Sequence, residues 1–145
     1  MNILFCSAGR RGQLLKNFRQ SMGDKGKIIA TDLSEYAPAL YFADKAYLVP
    51  PINDPTYLDT VVDICKKENI DAVTTVIDPE IEILAKNREK FESIGVEVLA
   101  PYEETAKLCF DKFEMFKYLT ACGIPTVMTF GGYDSFKSAF DKGTI

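Results

Sequence analysis

Histidine is absent from the 145 residues of this chain, and its absence excludes several kinds of active site. Without an imidazole the chain cannot form a Ser-His-Asp or Cys-His nucleophile, an HExxH zinc site or a histidine pH switch. No pair of cysteines has the CxxC spacing of a zinc ribbon or a redox motif. We expect them to be small buried apolar residues in a reducing compartment, which predicts a cytoplasmic protein. The four are Cys6, Cys65, Cys109 and Cys122.

Long apolar runs and basic clusters are missing as well. No stretch approaches the length that spans a bilayer, and the first residues lack the charged and apolar regions of a secretory signal. The 17 Lys and Arg are outnumbered by 21 Asp and Glu, the formal net charge is −4, and at most two basic residues are adjacent. We therefore expect neither membrane nor nucleic-acid partners.

The chain does contain a regular alternation of short apolar strands with amphipathic helices. Such βαβ units with right-handed crossovers predict an α/β fold, an open doubly wound parallel sheet with strand order 3-2-1-4-5. After Pro101 helices follow one another, and a further strand at residues 126–130 is an open alternative. The five predicted strands lie at residues 3–6, 27–31, 46–49, 72–77 and 96–99.

The loop after the first strand, with the sequence SAGRRG, is the first candidate binding element. In a doubly wound sheet ligands bind beyond the carboxyl ends of the strands, at the switch point between strands 1 and 4. The N–H groups at the start of the following helix favour an anion, and arginines can clamp a carboxylate or phosphate. The loop matches neither GxGxxG nor GxxxxGK[ST], so a tight turn with solvated arginines is an equally good interpretation. The candidate residues are Ser7, Gly9, Arg10 and Arg11.

Three carboxylates are predicted at the same edge of the sheet. Asp32 ends the second strand, 20 residues after Gly12, where dinucleotide-binding folds hold a ribose. A cap for the turn that follows it is the simpler interpretation. Asp78 and Glu80 follow the fourth strand, where a plain helix start is again the simpler interpretation and a role at the switch point the alternative.

Four segments of the sequence resemble the N-terminal portion of ATP-grasp enzymes, in particular the carbamoyl-phosphate-synthase-like group. The resemblance extends from Asn2 to about Phe130, and the order and spacing of the segments make it specific. The segments are ILFCSAGRRGQL, IIATDLSEYAPALYFADKAYLVP, IDPEIEILAKNREKFESIGVEVL and FDKFEMFKYLTACGIPTV.

The resemblance implies a Rossmann-like pre-ATP-grasp domain at residues 1–109, followed at residues 110–145 by a linker helix and the start of a truncated ATP-grasp domain. The intact enzyme would use ATP and Mg²⁺ to activate a carboxylate for attack by an amine, so small-molecule carboxylate and amine substrates are the expected partners. Lys112, from its sequence alone an exposed lysine, matches a family lysine that reaches the nucleotide phosphates. The family's remaining ATP-binding machinery lies downstream, so we expect the 145-residue chain to bind no cofactor tightly and to be inactive alone.

Two other interpretations are open. The chain could be a stand-alone Rossmann-like module that binds a nucleotide or small anion through the loop and Asp32. It could also be a scaffold domain whose aromatic residues pack on a partner, with a homodimer as one such assembly. The aromatic residues in question are Phe130, Tyr133, Phe136 and Phe140.

Overall fold

The structure is a computed structural model that describes residues 1–144 and divides into two compact units, Met1–Glu103 and the segment from Glu104 onward. The first unit contains five strands and the helices between them. The strands are β1 (Ile3–Cys6), β2 (Ile28–Asp32), β3 (Lys45–Leu48), β4 (Ala72–Thr75) and β5 (Glu97–Val98). The helices are α1 (Gly12–Met22), a 3-10 helix (Pro38–Phe42), α2 (Tyr57–Glu68), α3 (Asp78–Lys86) and α4 (Arg88–Glu92).

The five strands form one sheet in the order β3-β2-β1-β4-β5, and every pairing is parallel. The predicted α/β fold and strand order are therefore confirmed. β4 is shorter than predicted and ends at Thr75, because Ile77 already serves as the extended N-cap of α3. The order places β1 and β4 side by side, although 65 residues lie between the last residue of β1 and the first residue of β4. Their carboxyl ends therefore meet at the switch point.

The core occupies both faces of the sheet, as expected for buried parallel strands. Along β1 the side chains alternate, so Leu4 and Cys6 join the cluster that contains α2, α3 and α4. Ile3 and Phe5 join the opposite cluster, which contains Leu15 of α1. This alternation explains why β1 reads in the sequence as one continuous apolar run.

In the second unit, all the regular secondary structure of the described residues is α-helix. It contains α5, which begins at the unit boundary (Glu103–Phe110), α6 (Lys112–Ala121) and α7 (Tyr133–Asp141). Residues 124–130 form no strand, so that alternative is wrong. Cys6 and Cys65 are buried as predicted. The prediction is wrong for Cys109, near the end of α5, and for Cys122, directly after α6, because both are exposed. Within residues 1–144, no helix is long and apolar enough to cross a membrane.

Candidate functional site

A cleft of about 350 Å³ opens at the carboxyl edge of the sheet, beside the switch point. Three of the predicted site residues line it: Ser7, Gly9 and Asp32. The loop after β3 and the first residue of α2 form a largely apolar wall. The remaining lining residues are Leu33, Val49, Pro50, Pro51, Ile52, Asn53, Tyr57 and Ile77.

The loop between β1 and α1 is held by hydrogen bonds to its neighbours. The N–H of Ala8 donates to the carbonyl oxygen of Thr31 at 3.0 Å, and the N–H of Gly9 donates to Oδ2 of Asp32 at 2.8 Å. The N–H of Arg11 donates back to the carbonyl oxygen of Ala8 at 3.1 Å. These three N–H groups are therefore engaged within the protein, which weakens the comparison with a phosphate-binding loop.

Two residues of this loop have left-handed backbones. Gly9, with a φ of +54°, adopts this conformation without steric cost. Ser7, with a φ of +47°, does so at an energetic cost, since only glycine, asparagine and aspartate tolerate the region readily. Gly12 has a different reason to lack a side chain: a Cβ atom there would lie 2.3 Å from the ring of Phe42. Gly12 thus serves the packing of α1 against the 3-10 helix.

Asp32 organises the edge of the cleft with both of its carboxylate oxygens. Oδ2 accepts the N–H of Gly9, and Oδ1 accepts the N–H of Ser34 at 3.0 Å. The simpler interpretation, a cap for the turn after β2, therefore describes what Asp32 does in this fold. Asp32 is also one of the residues that line the cleft, and a carboxylate can accept more hydrogen bonds than these two.

Glu80 lies behind the lining of the cleft and is fully buried. The hydroxyl of Tyr57 donates to Oε1 of Glu80, and the hydroxyl of Thr75 donates to Oε2. Burial raises the pKa of Glu80 to about 7, and the negative charge of Asp32 adds to the rise. A carboxyl that changes charge near neutral pH next to a cleft is a feature of functional sites.

Tyr57 is the site residue that the sequence analysis missed. It is the first residue of α2, it lines the cleft, and only 1% of its surface is exposed. Before it, the side chain of Asp54 accepts the N–H of Thr56, and α2 begins at Tyr57. The signal in the sequence is weak, because a tyrosine followed four residues later by Val61 is typical of any amphipathic helix.

The other predicted residues of the first unit are not part of the lining. Arg10 and Arg11 are exposed before α1, and Asp78 is exposed at the first residue of α3. Asp78 and Glu80 are only two residues apart, yet one is in solvent and the other in the core. The difference arises because side chains two positions apart on a helix point in different directions.

Lys112 belongs to the second unit and is described there by itself. It is exposed in the first turn of α6, and its Nζ donates to the carbonyl oxygen of Cys109 at 2.6 Å. Asp111 caps the same helix, accepting the N–H groups of Phe113 and Glu114 at 3.0 Å each. The contact to a carbonyl at the end of α5 explains how a lysine is accommodated at a helix N-terminus.

The residues that the structure describes, 1–144, contain no group of three or more His, Cys, Asp or Glu side chains that could hold a metal ion. Mg²⁺ bound with nucleotide phosphates needs positioned oxygen ligands, usually carboxylates. The described residues therefore do not fit a Mg²⁺ site, and we assign no step of a reaction to this ion here.

Comparison with known proteins supplies the wider context. A family model described as PylC-like, N-terminal domain matches residues 3–99. No curated protein sequence matches the chain.

Solved structures of several enzymes share its fold. N5-carboxyaminoimidazole ribonucleotide synthetase from Thermotoga maritima has a TM-score of 0.63 at 22% identity, over 92% of this chain and 34% of that one. N5-carboxyaminoimidazole synthetase from Staphylococcus aureus, complexed with ADP, has a TM-score of 0.64 at 17% identity, and the match covers 97% of this chain and 35% of that one. The biotin carboxylase domain of a thermophilic 2-oxoglutarate carboxylase, bound to ADP, has a TM-score of 0.61 at 22% identity, and the match covers 90% of this chain and 29% of that one. The chain thus spans about a third of the length of these structures.

Proposed function

Because this chain belongs to the PylC-like N-terminal domain family, we propose that it is the front domain of an ATP-dependent carboxylate–amine ligase of the ATP-grasp type. The family match and the fold shared with solved structures support the expected pre-ATP-grasp identity. The observation that carries the functional proposal is the cleft at the switch point, whose lining lies within the matched residues. The finer likeness to the carbamoyl phosphate synthase large subunit rests on the sequence segments alone.

We assign the cleft to one of the small substrates rather than to ATP, because of its charge. Its lining contains the carboxylate of Asp32 and no lysine or arginine, and Glu80 lies directly behind it. The phosphates of a nucleotide would meet these acidic groups, and like charges brought together lower affinity. The N–H of Gly9, which could have bound a phosphate, already donates to Asp32.

The remaining site residues have proposed roles outside the cleft. Arg10 and Arg11, exposed before α1, would contact an anionic group of the same substrate, and Asp78 would lie on the opposite side of the switch point. Lys112 would contact the phosphates of ATP in the whole enzyme. In this proposal residues 1–109 form the pre-ATP-grasp domain and residues 110–145 lead into the ATP-grasp domain.

In the whole enzyme this domain would orient a substrate, while ATP and Mg²⁺ would be held elsewhere. Fixed hydrogen bonds around Asp32 and Glu80 keep the polar lining of the cleft in one arrangement, which lowers the entropy lost when a substrate is oriented. The proposed partners are therefore a small-molecule carboxylate and an amine, with a homodimer as an additional proposal. The four free cysteines support a cytoplasmic location, where thiols stay reduced.

Nucleotide binding separates this proposal from the stand-alone module. The probe is MgADP, added to the 145-residue chain while the amide signals of Gly9 and Ser34 are followed by NMR. We expect no saturable change at either amide, and, in a separate assay with MgATP, no ATP turnover. A saturable change that is lost in Asp32→Asn but kept in the control Asp24→Asn, an exposed residue in the turn after α1, would instead establish a nucleotide-binding module.

The positive test uses the complete ligase that contains this domain. Asp32→Asn should raise KM for the small substrate held by the cleft and leave KM for ATP unchanged, whereas Asp24→Asn should change neither. An equal rise in both constants for Asp32→Asn would contradict the assignment of the cleft.

A further inference from the structure

The cleft beside the switch point combines one charged side chain with an apolar wall. Asp32 is the only charged side chain among the described residues that line it. A ligand in this space of about 350 Å³ therefore meets one negative charge and a mostly apolar surface. The apolar side chains of the lining are those of Leu33, Val49, Pro50, Pro51, Ile52 and Ile77.

Asp32 keeps hydrogen-bonding capacity for a ligand. An ionised carboxylate has about four acceptor sites. Two of them accept the N–H groups of Gly9 and Ser34, at 2.8 and 3.0 Å, and the side chain remains partly exposed. The same two hydrogen bonds fix the orientation of the carboxylate, so a ligand that binds it does not have to order it first. Asp32 is thus a preorganised acceptor with a negative charge.

The backbone along the same lining has few donors to offer a ligand. The N–H of Val49 donates to the carbonyl oxygen of Asp32 at 3.0 Å, and the N–H of Gly9 donates to its carboxylate. Pro50 and Pro51 have no N–H at all. A carboxylate that entered the cleft would leave water without finding donors along this part of the wall, which is unfavourable.

Two further lining residues also donate within the protein. The N–H of Tyr57 donates to the carbonyl oxygen of Asp54 at 3.0 Å, and its hydroxyl donates to Oε1 of Glu80. The N–H of Ile77 donates to Oγ1 of Thr75 at 3.3 Å. The hydrogen-bonding groups of the cleft therefore favour a ligand that brings its own donors.

We propose that the cleft anchors its substrate through a protonated aliphatic amine, with the ammonium group at Asp32 and the hydrocarbon body against Pro50 and Ile52. An ammonium group has three donors and no acceptor, which matches an acceptor-rich site, and the apolar wall buries the body. The side chains of Ser7 and Asn53 can both donate and accept, so they suit a ligand of either sign. The inference rests on the proposed function, in which the cleft holds a small substrate.

An ammonium group bound in this way serves recognition rather than reaction. Its hydrogen bonds to Asp32 favour the charged form over the neutral amine. By linkage, a tenfold preference for the charged form makes the bound ammonium tenfold harder to deprotonate. A protonated amine has no lone pair with which to attack an activated carboxylate. The substrate class is therefore a bifunctional aliphatic amine, which is anchored by its ammonium and reacts through a second group.

The test compares three probes of similar size that differ in the charge of one end: n-butylammonium, 1-butanol and butyrate. Each is titrated into the 145-residue chain at constant ionic strength, and dissociation constants come from the NMR shifts of the Gly9 and Ser34 amides, which contact Asp32 directly. The pH is about 6, where Glu80, with its pKa of about 7, is mostly protonated, so the comparison reports on Asp32. Butylammonium stays charged at this pH, as a lysine ammonium does.

In the wild type we expect butylammonium to bind about tenfold more tightly than butanol, as one hydrogen bond to a charged group implies, and butyrate to bind least. Asp32→Asn should reduce the affinity for butylammonium to that for butanol. Asp24→Asn, which removes an exposed acid elsewhere, should behave as wild type. The ranking of the three probes on the wild type decides the sign of the ligand even if Asp32→Asn does not fold.

A second series tests the apolar wall. From methylammonium to butylammonium, each added methylene group should raise the affinity by up to about fourfold, the value for a buried CH₂ group. Ile52→Ala should reduce this gain per methylene and leave the affinity for methylammonium unchanged. An equal gain per methylene in the wild type and in Ile52→Ala would contradict the proposed position of the hydrocarbon body.

The outcomes that overturn the inference differ in what they say about the proposed function. If butyrate binds at the cleft amides as tightly as butylammonium, or if Asp32→Asn keeps the preference for butylammonium over butanol, the ammonium anchor is wrong and the cleft is still a small-substrate site. If none of the three probes gives a saturable shift of either amide in the wild type, the assignment of the cleft as a substrate site fails together with the inference.

Discussion

Replacing Glu80 with glutamine should make the free energy of unfolding less dependent on pH, because the folded state would no longer bury a carboxyl that ionises. The pKa of Glu80 rises from its ordinary value of 4.5 to about 7, a difference of 2.5, because the carboxyl is buried. Each pKa unit is worth about 1.4 kcal/mol, so ionised Glu80 lowers the free energy of unfolding by about 3 kcal/mol relative to protonated Glu80. The amide of the Glu80→Gln variant would have no charge to bury and could still accept the Tyr57 hydroxyl.

The sign of the effect follows from proton binding. Between pH 4.5 and about 7 the folded state holds a proton on Glu80 that the unfolded state has released. The contribution of Glu80 to stability is therefore full below pH 4.5 and is lost as the pH rises through about 7. Relative to wild type, Glu80→Gln should gain about 3 kcal/mol between those limits, or roughly 10 °C in Tm for a chain of this size.

Urea unfolding followed by circular dichroism, at half-unit steps of pH, measures this difference. Comparing variants at each pH cancels the titration of all other carboxylates. Glu82→Gln is the matched control, since it removes the same charge from a partly exposed position on the same helix, and its curve should run parallel to that of wild type. A Glu80→Gln curve that also runs parallel to wild type would refute the reasoning, because Glu80 would then be ionised equally in both states.

Four further substitutions test the remaining assignments. Asp32→Asn leaves one carbonyl oxygen for the two backbone N–H groups that the carboxylate accepts, and should cost about 1–3 kcal/mol of stability in urea unfolding; no loss would mean that the loop does not depend on this carboxylate. Tyr57→Phe removes a donor to the ionised form of Glu80, so the pKa of Glu80, followed by NMR, should rise further; an unchanged pKa would contradict the hydrogen bond. In the complete ligase Lys112→Ala should raise KM for ATP roughly tenfold or more, and Arg10→Ala should act mainly on the other substrate; unchanged kinetics in both variants would count against these roles.

Much of the fold could be predicted from the chain because parallel βαβ units leave few choices. The run Ile3–Cys6 is apolar at every position, which indicates a strand buried on both faces, and the structure places its residues in two core clusters. Boundaries were harder to predict. β5 contains only Glu97–Val98, where a strand over residues 96–99 was predicted, and the helical stretch after β4 divides at Asn87 into α3 and α4. Both depend on local hydrogen bonding that hydrophobic periodicity does not reveal.

The position of the candidate site in the fold could be predicted from the sequence, whereas most of its side-chain contacts could not. Ser7, Gly9 and Asp32 line one cleft because each ends or directly follows a parallel strand, and those ends share one edge. The partner of Glu80 was not predictable, because Tyr57 is 23 residues away and reaches it only when α2 and α3 pack on the same face of the sheet. The roles of Arg10, Arg11, Asp78 and Lys112 stay predictions.

By itself, the sequence determined the class of fold, the strand order and the edge of the sheet at which the cleft opens, because periodicity and right-handed crossovers are local rules. Only the tertiary structure decided which carboxylates are buried. Asp78 and Glu80 occur in the same stretch of sequence, yet Asp78 is exposed, while Glu80 is buried and hydrogen-bonded to Tyr57 and Thr75. Desolvation depends on every atom that surrounds a group, and those atoms come from distant parts of the chain.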